Sequence, residues 1–280
     1  MPKKLTTAQV AQYRRDGYVA PITIMTPEEA GTFRAALEAF ERAQGRPLHG
    51  PQKTKCCLLF PWMHRLATWP ALLDAVEDLI GPNILVFQNG AWLKEPEDHS
   101  FVSWHQDSTY FGLEPPELVT AWVALTPSTR ANGCVRVLPG THRLGQLPVE
   151  YTEVKPTNLL TSGQRVRYAA DESGAVDLEL QPGQMSLHHV HLIHSSGAND
   201  SAERRVGFSV ACMPPEMRQT GECRSTALLV RGEDRCGNFV LEQPPKSDVD
   251  PATVARHARA VALYRANVRE KGNQTITRLD

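Results

Sequence analysis

The stretch Thr120-Ala121-Trp122-Val123-Ala124-Leu125-Thr126-Pro127-Ser128-Thr129-Arg130-Ala131-Asn132-Gly133-Cys134-Val135-Arg136-Val137-Leu138-Pro139-Gly140 decides the fold. It holds two short runs rich in valine, leucine and tryptophan, with turn signals at Asn132-Gly133 and Pro139-Gly140. The same texture continues on both sides. Similar runs occupy Ile84 to Leu93, Val176 to Leu180, Gln184 to Ile193 and Arg204 to Cys212. Glu114-Pro115-Pro116, Pro182-Gly183 and Gly197-Ala198-Asn199-Asp200 punctuate them. Many short strands broken in this way predict a sandwich or jelly roll.

Further out, the two ends read as helical. Thr6 with Gln9 and Thr26 with Glu29 form capping boxes, the second followed by Pro27 at the first helical position. Ala30, Phe33, Leu37 and Phe40 repeat at helical spacing, as do Leu72, Val76, Leu79 and Ile80 before Gly81-Pro82. Near the other end Asp250 caps and Pro251 opens a helix whose stripe is Val254, Ala258, Val261, Tyr264 and Val268. The expected architecture is one domain over 1–280: a helical part at 1–82, a jelly-roll core at about 83–215, and a loop with a terminal helix at 216–280. Segments 145–175 and 214–250 read as long loops, which in compact domains often serve as lids or binding loops.

Composition narrows the function. Thirty basic against thirty-one acidic residues among 280 give a formal net charge of −1, without the clustered basic excess of a duplex binder. Hydrophobic residues make up 41%, enough for a core, while no run of 18 apolar residues offers a membrane span. The expected partner is therefore a small-molecule substrate, not nucleic acid or membrane. Lys3 and Lys4 precede polar residues, so no secretory signal is read, and Thr277-Arg278-Leu279-Asp280 is no peroxisomal or reticulum address. Six cysteines without a C-x-x-C pair read as reduced thiols. The expected compartment is the cytoplasm.

Trp104-His105-Gln106-Asp107 is the sharpest chemical feature. Read as a strand, it puts His105 and Asp107 on one face, where an imidazole and a carboxylate reach one ion. A third ligand must come from a distant strand, and four histidines crowd the stretch from Leu187 to His194. Two histidines and one carboxylate with three open positions form the facial triad of non-haem Fe(II) oxygenases. After His194 come a Gly/Asn/Asp turn and Arg204-Arg205. If the two strands pair, a guanidinium enters the metal cavity and can hold a carboxylate bidentately. That combination implies a dicarboxylate that chelates at one end and is clamped at the other. Alternation alone does not choose between His188 and His194.

Five segments in order resemble the phytanoyl-CoA dioxygenase family of Fe(II)/2-oxoglutarate oxygenases. They are LTTAQVAQYRRDGYV from Leu5, GPNILVFQNGAWLK from Gly81, WHQDSTYF from Trp104, TAWVALTPSTRANGCVRVLPGTH from Thr120, and LHHVHLIHSSGANDSAERR from Leu187. The resemblance implies a double-stranded β-helix, the cupin-like jelly roll already read from the strands. It implies Fe(II), 2-oxoglutarate and O2 as cofactor and co-substrates, with His105, Asp107 and His194 as iron ligands. Arg205 matches the arginine for the far carboxylate of 2-oxoglutarate. Ser196 matches a hydroxyl supporting it, and Trp122 an aromatic wall of the same pocket. Gln88 and Lys94, on the strand before the ligands, are further candidates for contact with co-substrate or substrate. His188, His189 and His191 are then supporting or core histidines. Asp107 favours oxygenation, because related halogenases carry a small residue there. The expected reaction is hydroxylation of an unactivated C–H of a small metabolite or natural-product intermediate, releasing succinate and CO2. Desaturation, epimerisation and ring closure share its first half. Other readings are a Zn or Mn enzyme of cupin type and a non-catalytic binding module. Lys53, Lys55, Arg130 and Arg136 are read as solvated surface or as a mouth for an anionic substrate.

Overall fold

The computed structural model describes residues 2–151, 157–160, 164–168, 171–221 and 224–276. The chain opens with α1 (Thr7–Asp16), β1 (Tyr18–Thr23), α2 (Pro27–Gln44), α3 (Pro61–Ala67) and α4 (Pro70–Ile80). Strands follow: β2 (Ile84–Lys94), β3 (Val102–His105), the short α5 (Ser108–Phe111), β4 (Leu113–Glu114), β5 (Val119–Ala124) and β6 (Val135–Val137). Then come β7 (Val149–Tyr151), β8 (Gln164–Val166), β9 (Val176–Leu178), β10 (Gln184–His189), β11 (His194–Ser196) and β12 (Arg205–Met213). The last elements are β13 (Arg218–Gln219), β14 (Thr226–Arg231), β15 (Val240–Leu241) and α6 (Pro251–Ile276).

Both capping boxes form as the sequence predicts. Thr6 accepts from the Gln9 amide and Thr26 from the Glu29 amide, and Gly17 and Gly45 end the helices in the left-handed region. Asp250 accepts from the Ala252 amide at the start of α6. The helical reading of 1–82 omits β1, whose six residues pair with β10 at one edge of the large sheet. Tyr18–Thr23 follows the Gly17 stop and is too short for periodicity to reveal.

The strands form a jelly roll, the double-stranded β-helix. The large sheet has the order β1-β10-β5-β12-β2-β14-β15, and the small one β3-β11-β6-β9. Alternation along β12 divides two environments. Val206, Phe208, Val210 and Cys212 pack with Phe33, Leu37, Leu72 and Val76 of α2 and α4 in one buried cluster. Each such large side chain contributes about 1.5–3 kcal/mol through burial. Arg205, Gly207, Ser209 and Ala211 face the other way, into the barrel.

Three expectations need correction. The β11 and β12 strands do not pair: β11 lies between β3 and β6, and β12 between β2 and β5. Residues 197–204 are too long for a tight hairpin and carry the chain from one sheet to the other. Asn199 pins this crossing through its side-chain amide to the carbonyls of Glu95 and Glu203, both at 2.8 Å. The 214–250 segment is not one loop, since β14 joins the large sheet beside β2. Within 145–175, β7 and β8 pair, while 152–156, 161–163 and 169–170 lie outside the described residues.

Lys55 is likewise no surface cation. Only 1% exposed, it donates to the Phe87 carbonyl at 2.8 Å and to Glu242 Oε1 at 2.5 Å. This buried pair ties the turn before α3 to β2 and to the chain after β15. Arg130 and Arg136 both engage Asp177 on the small sheet.

Candidate metal centre

His105 closes β3 and His194 opens β11, and the two are directly opposed in the register. Asp107 is not on the strand. Its φ of −60° and ψ of −35° place it at the start of α5, with no bond from its side chain to the helix end. The strand stops at His105 because Gln106 turns inward. Gln106 is fully buried, with its amide donating to the carbonyls of Gly145 (2.9 Å) and His191 (2.7 Å) and its carbonyl accepting from the Leu147 amide at 2.9 Å. The His-x-Asp pair thus meets around a turn rather than on one pleat.

The three ligand groups converge. His105 Nε2 lies 3.6 Å and His194 Nε2 3.7 Å from Asp107 Oδ1. The donor atoms of all three lie within 4.8 Å of one another, so they could hold one ion. Each imidazole is oriented from behind. His105 Nδ1 meets the Ser103 carbonyl at 2.9 Å and His194 Nδ1 the Leu192 carbonyl at 3.0 Å. A carbonyl only accepts, so Nδ1 carries the proton and Nε2 keeps a lone pair for metal. Thr120 donates to Asp107 Oδ2 at 2.8 Å, leaving Oδ1 toward the imidazoles.

Electrostatics match this arrangement. Burial raises the Asp107 carboxyl, but His194, His105 and His188 outweigh it and hold it well below the usual range. Burial, then the neighbouring His105, hold His194 well below its ordinary value. An ionised carboxylate beside a neutral imidazole is the state a metal takes up.

The remaining histidines divide. His188 is 2% exposed, with Nε2 3.7 Å from Asp107 Oδ2 and neither ring nitrogen hydrogen-bonded. It lies beside the carboxylate but outside the converging set. His189 accepts from the His191 amide and faces away, toward Tyr13 and His142. Burial first, then His191 and His142, lowers His189 to about 4. Such a group binds its proton more readily unfolded, so its contribution is present above pH 6.5 and is lost as pH falls from there to about 4. Thermal melts of the metal-free protein should show this decline, with His189 contributing at most about 3 kcal/mol before solvent screening.

The second half of the site lies on the inner face of the large sheet. The registers set His188, Thr120, Ala211 and Gln88 in one row, Ser186, Trp122, Ser209 and Gly90 in the next, and Arg205 beside Lys94 at the far end. Arg205 is 2% exposed and stacks its guanidinium 5.3 Å from the centre of the Trp122 ring. Gly207 is required there, because a Cβ would fall 2.0 Å from that ring. Arg205 donates to Ser196 Oγ at 3.2 Å and to the Gly133 carbonyl, while its Nε has no hydrogen-bond partner among the described residues. Among the described residues it forms no ion pair. Ser186 Oγ and both His188 nitrogens are also buried, with no hydrogen-bond partner among the described residues. This chamber, walled by unmatched polar groups and a guanidinium lacking an anion, fits an iron bound by the triad and an anionic chelator reaching Arg205.

Gln88 is placed elsewhere than Arg205. It is half-buried on the row of Thr120, and its side-chain oxygen accepts from the Asn89 amide at 3.1 Å. The Tyr264 ring contacts Phe87 and Phe111 at 6.1 and 6.3 Å. Burial, and then the Asp107 charge, raise its phenol. Tyr264 was legible only as part of an apolar stripe, and its ring does pack against Phe87 and Phe111. Gln106 carried no signal, being one polar residue between two ligands. Replacing Gln106 with leucine should cost about 2–4 kcal/mol in urea denaturation, because two buried carbonyls and one amide lose their partner.

Comparison with known proteins agrees with this geometry. The sequence profile of the Phytanoyl-CoA dioxygenase (PhyH) family matches residues 13–207. A probable phytanoyl-CoA dioxygenase of Caenorhabditis elegans is 33% identical over 159 residues, covering 54% of this chain and 49% of that protein. The peroxisomal phytanoyl-CoA dioxygenase of Homo sapiens is 32% identical over 229 residues, covering 73% and 67%. The chain thus spans about half the length of the first relative and two thirds of the second. The solved structure of apo ThoJ, a non-heme monooxygenase, superposes with a TM-score of 0.84 at 32% identity, over 95% of this chain and 99% of that one. No helix among the described residues is long and apolar enough to cross a membrane. The chain belongs to the phytanoyl-CoA dioxygenase family of Fe(II)/2-oxoglutarate-dependent oxygenases.

Proposed function

We propose that this protein hydroxylates an unactivated C–H bond of a small metabolite or natural-product intermediate, as a single-domain enzyme of the cytoplasm. The observation that carries this reading is the pairing of an open His-Asp-His cluster with a buried guanidinium that has no anion of its own. His105, Asp107 and His194 would hold Fe(II). Arg205 would bind the far carboxylate of 2-oxoglutarate, with Ser196 ordering the guanidinium and Trp122 forming the wall beneath it. Bound there, the iron with 2-oxoglutarate and O2 supplies oxidative decarboxylation coupled to oxygen insertion, so that R–H, 2-oxoglutarate and O2 become R–OH, succinate and CO2. Thr120 keeps Asp107 Oδ2 occupied and leaves Oδ1 for the metal. The backbone carbonyls behind His105 and His194 orient the two rings with Nε2 toward the metal position.

A CoA thioester gains little support from the basic residues. Lys55 is buried against Glu242, and Arg130 and Arg136 are engaged by Asp177. The cytoplasmic reading draws support from the free, buried thiols of Cys56, Cys57, Cys134 and Cys212. The test is a screen for release of labelled CO2 from 2-oxoglutarate, with small metabolites in one arm and acyl-CoA thioesters in the other. Stimulation in the first arm, with a product heavier by one oxygen atom, is expected. Stimulation by thioesters alone, or by nothing in a broad screen, contradicts the proposal.

A further inference from the structure

Lys94 ends β2 directly opposite Arg205 and is fully buried. Its Nζ donates to Ser196 Oγ at 2.7 Å and to the Gly197 carbonyl. An ammonium carries three donors, so one is left over. The same Ser196 oxygen accepts from Arg205 at 3.2 Å, while the serine proton goes to the Gly133 carbonyl at 2.8 Å. Two cations therefore share one hydroxyl oxygen. Gly133 lets the 197–198 backbone and Lys94 close in, since a Cβ there would fall 2.3 Å from the Gly197 carbonyl oxygen and 2.9 Å from Lys94 Nζ. Among the described residues neither cation forms an ion pair. Asp98 and Asp200 act on Lys94 only through longer-range attraction. Two adjacent buried cations without an anion are costly when the pocket is empty, and an arriving carboxylate relieves both.

We propose that Lys94 is a second cation of the pocket for the far carboxylate of 2-oxoglutarate, acting beside Arg205 and ordered by Ser196 and Gly197. This rests on the co-substrate reading above. Its consequence is a proton linkage. Burial first, then Arg205, brings Lys94 down to about 7 in the empty pocket, against weaker upward pulls from Asp98, Cys134 and Asp200. A bound carboxylate raises that value. Affinity for 2-oxoglutarate is then fullest below about pH 7 and falls as pH rises through the bound-state value.

The experiment is calorimetric titration of Ni(II)-loaded protein with 2-oxoglutarate at pH 6 and pH 8, in buffers of different ionisation enthalpy. At pH 8 the wild type is expected to take up about one proton per ligand, and at pH 6 almost none. 2-Oxopentanoate, which lacks the far carboxylate, should bind without uptake. Lys94→Met should bind 2-oxoglutarate roughly 10- to 100-fold more weakly and without uptake, while keeping its Ni(II) affinity. Lys94→Arg, charged at both pH values, should bind without uptake. Binding by wild type with no uptake at pH 8, or unchanged uptake in Lys94→Met, overturns the role of Lys94 alone. Failure of the wild type to bind 2-oxoglutarate overturns the co-substrate reading, and this proposal with it.

Discussion

Asp107→Ala is expected to lower Fe(II) affinity by more than about 100-fold and to abolish turnover. Groups that merely support a metal ligand usually account for about 10- to 100-fold in affinity or activity. Asp107 supplies the single negative charge of the cluster, and its Oδ1 lies between the two imidazole nitrogens at 3.6 and 3.7 Å. Thr120→Val is the matching control. It removes one hydrogen bond of 2.8 Å to Oδ2 and leaves the charge in place, so it should cost closer to about 10-fold. Competition with a chelating dye measures both. Equal losses would show that placement of the carboxylate, rather than its charge, carries metal affinity.

The second large effect has two parts of opposite sign. Arg205→Met should weaken 2-oxoglutarate binding by about 100- to 1,000-fold, the loss expected when one partner of a buried charge pair is removed. The same change should leave the ligand-free protein as stable as wild type, or stabilise it by about 1–2 kcal/mol. The empty pocket holds a buried cation without an anion, with Nε unpartnered, and methionine can fill much of that volume without a desolvation cost. Binding titrations and thermal melts of one preparation check both halves. A residue serving only the fold would lose stability and affinity together.

The layout of the site was legible in the sequence where chemistry needs particular residue types. His105-Gln106-Asp107 and the histidine cluster are each weak signals alone, and it was the resemblance that joined them into one ligand set. The turn at Gly197 leads equally to Arg204 and Arg205, and the resemblance chose Arg205. Periodicity did not choose between His188 and His194, and in the structure both do reach Asp107. They differ in convergence: His194 is aimed at Oδ1 together with His105, whereas His188 stands beside Oδ2. The fold class was readable from strand texture and turn residues, yet the pairing of β11 with β12 was misread. Sequence proximity favours a hairpin, and only sandwich topology sends the eight residues between them across the barrel. Lys55 was obscured, whereas Lys94 was already a candidate for contact with co-substrate or substrate. A lysine in a polar-flanked run looks solvated until the fold closes over it, and only then does the absence or presence of an acid such as Glu242 define its role. β14 was hidden because its polar flanks mask a strand whose inner positions, Ala227 and Leu228, are buried.

The most direct test of the central claim is anaerobic titration of the purified protein with Fe(II) and then 2-oxoglutarate, followed by visible absorption. The account predicts a metal-to-ligand charge-transfer band that develops only when both are present and is lost in Asp107→Ala. An iron centre whose spectrum is unchanged by 2-oxoglutarate, or a protein that takes up no iron, would contradict it.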